Sequence, residues 1–420
     1  MKILMVTNTF APHVGGVARS VQQFTSEYRQ RGHEVLVVAP EFPHMPDHEV
    51  GVIRIPAVQR FNGSDFSVPV PIPGLLSAEL HGFNADIVHT HHPFLLGDAA
   101  LRIAAKDDIP IVFTHHTQYE QYTHYVPGDS ETMKRFVVEL AVGYCNLCDT
   151  VIAPSATIRQ RLVDQGVEVP VEEIPTGVDT KVFGAGDGTR LRGELGWDED
   201  DFIVGHVGRL APEKRLGFLA NAVARFVASA EHSRFLVAGD GPSRQDIEKA
   251  FRDRGIADRL VLLGTLGRSQ LADVYQAMDV FAFASQSETQ GMVLTEAMAA
   301  GTPVVAVDAP GVREVLRDGE NGIKLPLEET NSFVDALTQV WQASRAQRER
   351  WEAGALRTAE EFSMTRTAER ALALYQRSIA QGRRGTHGTD GWSAARRRVE
   401  EEWHIWGNFA SAASQAVLGL

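Results

Sequence analysis

Short runs of consecutive apolar residues, each closed by turn-forming residues, alternate along this chain with stretches whose apolar positions recur at helical spacing. The runs KILMVT (2–7), EVLVVAP (34–40), DIVHTH (86–91), PIVFTH (110–115) and TVIAPS (150–155) read as strands buried on both faces. Segments such as VARSVQQFTSEYRQRG lie between them and stop at Gly32, a C-terminal helix signal. A second series follows: FIVGHVG (202–208), RFLVAGDG (234–241), LVLLGTL (260–266), VFAFAS (280–285) and PVVAVD (303–308). Repeated strand–helix–strand units predict an α/β protein with two Rossmann-like, doubly wound domains. The polar, Gly-rich stretch between Phe183 and Asp201 reads as the linker. The expected organisation is therefore 1–183, 184–364, a closing helix over 365–380 that returns to the first domain, and an extension over 381–420. Ligands of such sheets bind beyond the carboxyl ends of the strands, so two facing sheets predict a cleft.

The extension opens on the connector QGRRGTHGTDG. Behind it, Trp392, Ala395, Val399, Trp403, Trp406, Phe409 and Ala413 recur at helical spacing. Two readings stay open: a helix lying on a membrane surface, or one packed on the body of the protein or on another subunit.

Length and charge narrow the classes. At 420 residues the chain exceeds one ordinary core. A formal charge of -13 argues against a sequence-independent nucleic-acid binder. The N-terminal run is a first strand rather than a signal peptide, and no apolar run is long enough to span a bilayer. Cys145 and Cys148 form a lone C-x-x-C that reads as two buried apolar positions, which suits a reducing, cytoplasmic compartment. The D-x-D within DEDD (198–201) reads as a solvated turn.

Candidate chemistry gathers at the strand ends. Gly15–Gly16, between the first strand and helix, serve either an anion or a plain tight turn. In GRLAPEKR (208–215), Arg209 and Lys214 supply two cations able to hold a diphosphate and neutralise its departing charge; a solvated basic loop is the other reading. In SETQGMVLTEAMAAGTPVVA (287–306), Glu288 and Glu296 form an E-x7-E pair. The amides at Gly291, Met292 and Val293 open a helix towards a phosphate, and Glu296 suits the hydroxyls of a ribose. Five histidines, His89, His91, His92, His115 and His116, raise the question of a metal, but no carboxylate or cysteine accompanies them at ligand spacing. The expectation is no metal and no cofactor.

These motifs, with P-x-x-G-G-x-x at Pro12–Ala18 and AGDGP at 238–242, make residues 1 to about 380 resemble the retaining glycosyltransferases of the GT-B fold, family 4. The resemblance implies a nucleotide-sugar donor, with Arg209 and Lys214 on the diphosphate and Glu296 on the ribose. Glu288 and the amides after Gly291 would hold sugar and phosphate, His116 would touch the sugar, and Gly16 would approach the diphosphate or the acceptor. HTHHPFLLG (89–97) and THHTQYEQYTHYVP (114–127) are similar to the bacterial and plastid diacylglycerol glycosyltransferases, the monoglucosyldiacylglycerol synthase group. That narrower likeness implies UDP-glucose as donor and a lipid acceptor met by Tyr119, Glu120, Tyr122, His124 and Tyr125, at a membrane surface. The acidic first 180 residues depart from the basic N-terminal domain usual there. The alternative is a family member, such as a mannosyltransferase, acting on a soluble or polyprenyl-linked acceptor.

Overall fold

The computed structural model describes residues 1–13, 15–59, 67–70, 76, 79–118, 130–198, 200–383 and 391–418, with the backbone alone at 391–396, 398, 417 and 418. It divides into two compact units, Met1–Pro175 with Thr367–Leu420, and Thr176–Arg366.

The first unit is built on seven parallel strands: β1 (Lys2–Val6), β2 (Glu34–Pro40), β3 (Val52–Ile55), β4 (Ile87–Thr90), β5 (Ile111–Thr114), β6 (Thr150–Ala153) and β7 (Val171–Glu173). Their order is β3-β2-β1-β4-β5-β6-β7, with Ile3 opposite Val35 on one side and Ile87 on the other. Continuous apolar runs suit the central strands because helices cover both faces: α1 (Gly16–Gln30), α2 (Leu96–Asp107), α3 (Glu131–Leu147) and α4 (Ala156–Asp164). Ser130 and Ser155 cap α3 and α4, each accepting from a first-turn amide.

The second unit repeats the plan with β8 (Phe202–Val207), β9 (Ser233–Ala238), β10 (Leu260–Leu262), β11 (Val280–Phe283), β12 (Val304–Val307) and β13 (Gly322–Leu325), in the order β10-β9-β8-β11-β12-β13. Its main helices are α5 (Leu216–Ser229), α6 (Arg244–Arg252), α7 (Arg268–Gln276), α8 (Met292–Ala299), α9 (Thr330–Trp341) and α10 (Arg345–Glu361). In both sheets the order reverses beside the first strand, between β1 and β4 and between β8 and β11. A ligand crevice belongs at such a point.

Helix α11 (Met364–Gln381) passes from the second unit into the first, and α12 (Gly391–Leu418) ends the chain on the first. Tyr375 of α11 is fully buried there, and Arg377 pairs with Glu172 at 2.6 Å.

Three expectations need correction. The division falls at Pro175/Thr176 and again at Thr367, not at 183/184 and 365. Val178 accepts from the Met364 amide and donates to the Phe362 carbonyl, both at 2.8 Å, and the Phe183 ring lies edge-on to Tyr275, so 176–183 belong to the second unit. The stretch 183–201 is no linker. It forms short helices that pack on α7 so closely that a Cβ on Gly186 or Gly188 would strike its backbone. Asp201 is not solvated: its side chain is fully buried and pairs with Arg234 at 2.9 Å. The tail, whose stripe leaves a membrane surface and the protein both open, packs on the first unit as α12. Ile405, Ala412 and Ala416 face inward, while Val399, Trp403 and Trp406 face solvent.

Candidate functional site

At the switch point of the first sheet the chain leaves β1 at Thr7–Asn8 and β4 at His91–His92. The Asn8 amide donates to Nδ1 of His92 at 3.0 Å, and the Asn8 side chain accepts from the Leu96 amide at 3.2 Å. His91 Nδ1 and His116 Nε2 share one hydrogen bond at 2.9 Å, their rings stacked. His89 sits a layer deeper. Tyr28 donates to the Tyr375 hydroxyl, which shares a hydrogen bond with His89 Nδ1. On the other side of the ring, His89 Nε2 shares a hydrogen bond with Thr114 Oγ1 at 2.7 Å. Burial drives all five imidazoles towards the neutral form: His89 and His92 to about 3, His115 to about 4, and His91 and His116 well below the usual value. The histidines are thus uncharged at neutral pH, and two of them, His91 and His116, bond to each other. Among the described residues, no three His, Cys, Asp or Glu groups are gathered as a metal site.

Gly15 precedes α1 with extended backbone, and no side chain caps that helix. A Cβ on Gly16 would meet nothing within 4 Å, so packing does not demand glycine there. Tyr119, Glu120, Tyr122, His124, Tyr125 and Pro127 lie outside the described residues.

The second switch point is charged. GRLAPEKR leaves β8 and folds through a 3-10 turn, Pro212–Lys214. Arg209 pairs with Glu213 within this loop. Lys214 reaches across to Glu288 at 2.5 Å, with both side chains largely buried. Burial raises the Glu288 carboxyl, but the Lys214 ammonium and further hydrogen bonds outweigh it and hold the group below its usual range. The loop after β9 comes so close that a Cβ on Gly239 would sit 1.8 Å from the Gly208 carbonyl oxygen.

Gly291 opens α8 from the left-handed region, φ +74°, where a side chain is strained. No side chain caps α8, whose first residues are Met292 and Val293. Glu296 follows one turn on, 3% exposed, with one carboxylate oxygen accepting from the Tyr275 hydroxyl at 2.8 Å. Lys214, Glu288, Gly291 and Glu296 are therefore brought together along one edge of the sheet, while Arg209 is engaged by its own loop.

Three residues here escape sequence reasoning. Tyr275, which orients Glu296, and Gly311, where a Cβ would strike Glu288 at 2.6 Å, carry no local signal. His206 does carry one, a lone histidine within the apolar strand β8. It is 1% exposed, holds Ala282 O through Nδ1 at 3.1 Å, and feels both Lys214 and Glu288.

Comparison with known proteins bears on the family and the fold. The sequence profile of Glycosyltransferase Family 4 matches residues 14–182, and that of Glycosyl transferases group 1 matches residues 187–357. The chain is 31% identical over 331 residues to the alpha-monoglucosyldiacylglycerol synthase of Streptococcus pneumoniae, covering 76% of this chain and 74% of that protein. It is 30% identical over 399 residues to the GDP-mannose-dependent alpha-mannosyltransferase of Mycobacterium tuberculosis, covering 92% and 98%. The fold is shared with sucrose-phosphate synthase from Thermosynechococcus elongatus, at a TM-score of 0.72 and 21% identity over 91% of this chain and all of that one. Two parallel-sheet units with the same strand order, matched halves, and relatives aligned over most of their length place this chain in glycosyltransferase family 4, as a glycosyltransferase of the GT-B fold.

Proposed function

We propose that the enzyme transfers glucose from UDP-glucose to a lipid acceptor such as diacylglycerol, with retention of configuration and without a metal. The donor half of this reading is carried by the Lys214–Glu288 pair beside the start of α8 and Glu296. Lys214 and Arg209 hold the diphosphate, Glu296 the ribose, and Glu288 with the amides at Gly291–Val293 the sugar and its phosphate. His116 touches the transferred sugar. The bond between the anomeric carbon and the diphosphate oxygen breaks as the acceptor oxygen bonds to that carbon on the same face. The acceptor proton passes to the departing diphosphate, whose charge the two cations neutralise. The lipid acceptor is supported by the run at 114–127 and by the streptococcal relative.

A second reading has its own support. The mycobacterial relative, named for GDP-mannose, aligns over nearly the whole chain. One assay separates them: labelled UDP-glucose or GDP-mannose with diacylglycerol in mixed micelles containing EDTA, beside Glu296→Ala. Glucolipid formed in EDTA and lost in the variant is the expected result. Transfer from GDP-mannose alone overturns the donor, donor turnover without glycolipid overturns the acceptor, and a strict need for divalent metal overturns the mechanism.

A further inference from the structure

Helix α12 lies beyond both matched profiles, which end at residues 182 and 357. It is fastened to the first unit along one side. Arg383 and Glu401 form an ion pair with both side chains under 10% exposed, Glu402 takes Arg102, and Arg397 approaches Asp108. Asn408 donates to the Leu140 carbonyl at 3.1 Å and fills the space that a Cβ on Gly143 would need. With Ile405, Ala412 and Ala416, these contacts use up the inner face.

The outer face is apolar and open. Val399, Trp403 and Trp406 are 59%, 74% and 67% exposed. The two indoles are the only exposed aromatic side chains among the described residues, and no other described helix exposes more than one large apolar side chain. From Trp403 to Ala416 the sequence holds no Lys, Arg, Asp or Glu. Because Asn408 meets Leu140 and Gly143 while Glu401 lies by Asp149, α12 runs antiparallel to α3. Its uncharged half therefore extends towards the start of α3.

We propose that this face docks on a lipid–water interface, with Val399, Trp403 and Trp406 as the inserting side chains. Indole combines a large apolar body with a polar N–H and favours that boundary. A second copy of the chain fits less well. Two indoles and a valine offer roughly half of the ~800 Å² per partner that a stable dimer buries. The stripe lacks charge and the protein carries -13 overall, so docking works by partition into neutral lipid rather than by attraction to anionic headgroups. The purpose of docking rests on the lipid-acceptor reading; the docking itself does not.

The test is flotation of the full chain with vesicles of phosphatidylcholine alone, comparing wild type with the Trp403→Ala, Trp406→Ala double variant. Wild type floats, its partition changes less than about twofold between low and high salt, and the variant partitions at least about tenfold less with an unchanged Tm. Both proteins glycosylate monomeric dihexanoylglycerol equally. The proposal is overturned if wild type does not float, if the variant floats as well, if salt abolishes binding, or if light scattering shows a dimer that the variant splits. Vesicle binding without any lipid glycosylation removes the acceptor and leaves the docking standing. Glycosylation of dihexanoylglycerol without vesicle binding does the reverse.

Discussion

The two switch points share a strand order and differ in electrostatics. In the first unit the strand ends carry five imidazoles held neutral by burial and hydrogen-bonded to neutral neighbours, His91 to His116 and His89 to Thr114. In the second the strand ends carry full charges, Lys214 on Glu288 and Arg209 on Glu213. The contrast shows how one backbone plan serves two tasks. Neutral imidazoles present directional hydrogen bonds without attracting counter-ions, while paired charges keep cations at hand for an anion without leaving them unbalanced in a partly dry site.

The largest effect expected from this contrast is Lys214→Ala. Removing a fixed cation from the charged edge lowers kcat/KM for the nucleotide sugar by about 10²–10³-fold, read in steady-state assays. His89→Gln at the neutral edge leaves a smaller deficit. Equal losses at both edges would break the distinction.

Acidification should separate them next. An imidazole depressed in the folded state binds a proton first in the unfolded chain, so stability falls as pH drops below about 6.5. For His89, depressed to about 3, the loss between pH 7 and pH 5 is on the order of 2 kcal/mol. Glu288 is also lowered, but for a carboxylate that stabilisation is complete above about 4.5 and is lost only below it. Melting curves at pH 7 and pH 5 should therefore show a fall that His89→Gln shrinks and Glu288→Gln leaves in place.

The smallest effect compares two tyrosines. Tyr375→Phe strands His89 Nδ1 and costs about 1–3 kcal/mol of stability, with donor KM unchanged. Tyr275→Phe frees one oxygen of Glu296 and raises donor KM about fivefold, with kcat nearly constant. The same shift in both variants would show that neither tyrosine is specific to its edge.

How much of this was legible follows from where each residue sits. The central strands announced themselves as apolar runs because neighbours and helices surround them. Three of the four edge strands, β3, β7 and β13, did not: Val171–Glu173, for one, is partly exposed throughout, whereas the fourth, β10, kept a readable apolar run. The motifs GRLAPEKR and E-x7-E were readable because a turn and a helix start fix their spacing locally. Tyr275 and Tyr375 were not, since each acts on a partner brought near only by folding. The tail gives the sharpest case. Helical periodicity correctly marked α12 as a helix, yet Val399, Trp403 and Trp406 of its stripe face water, because the Arg383–Glu401 pair and Asn408 set the inner face instead.

The sequence by itself therefore determined the two doubly wound sheets, the loops at their carboxyl edges and the family, all consequences of local periodicity and short-range spacing. Tertiary structure alone decided that the chain divides at Pro175 and returns at Thr367, that His91 and His116 meet as neutral groups, that Lys214 lies on Glu288, and which side of α12 is buried. These depend on groups far apart in the chain, whose charge state and exposure are set by burial and by partners that no local pattern names.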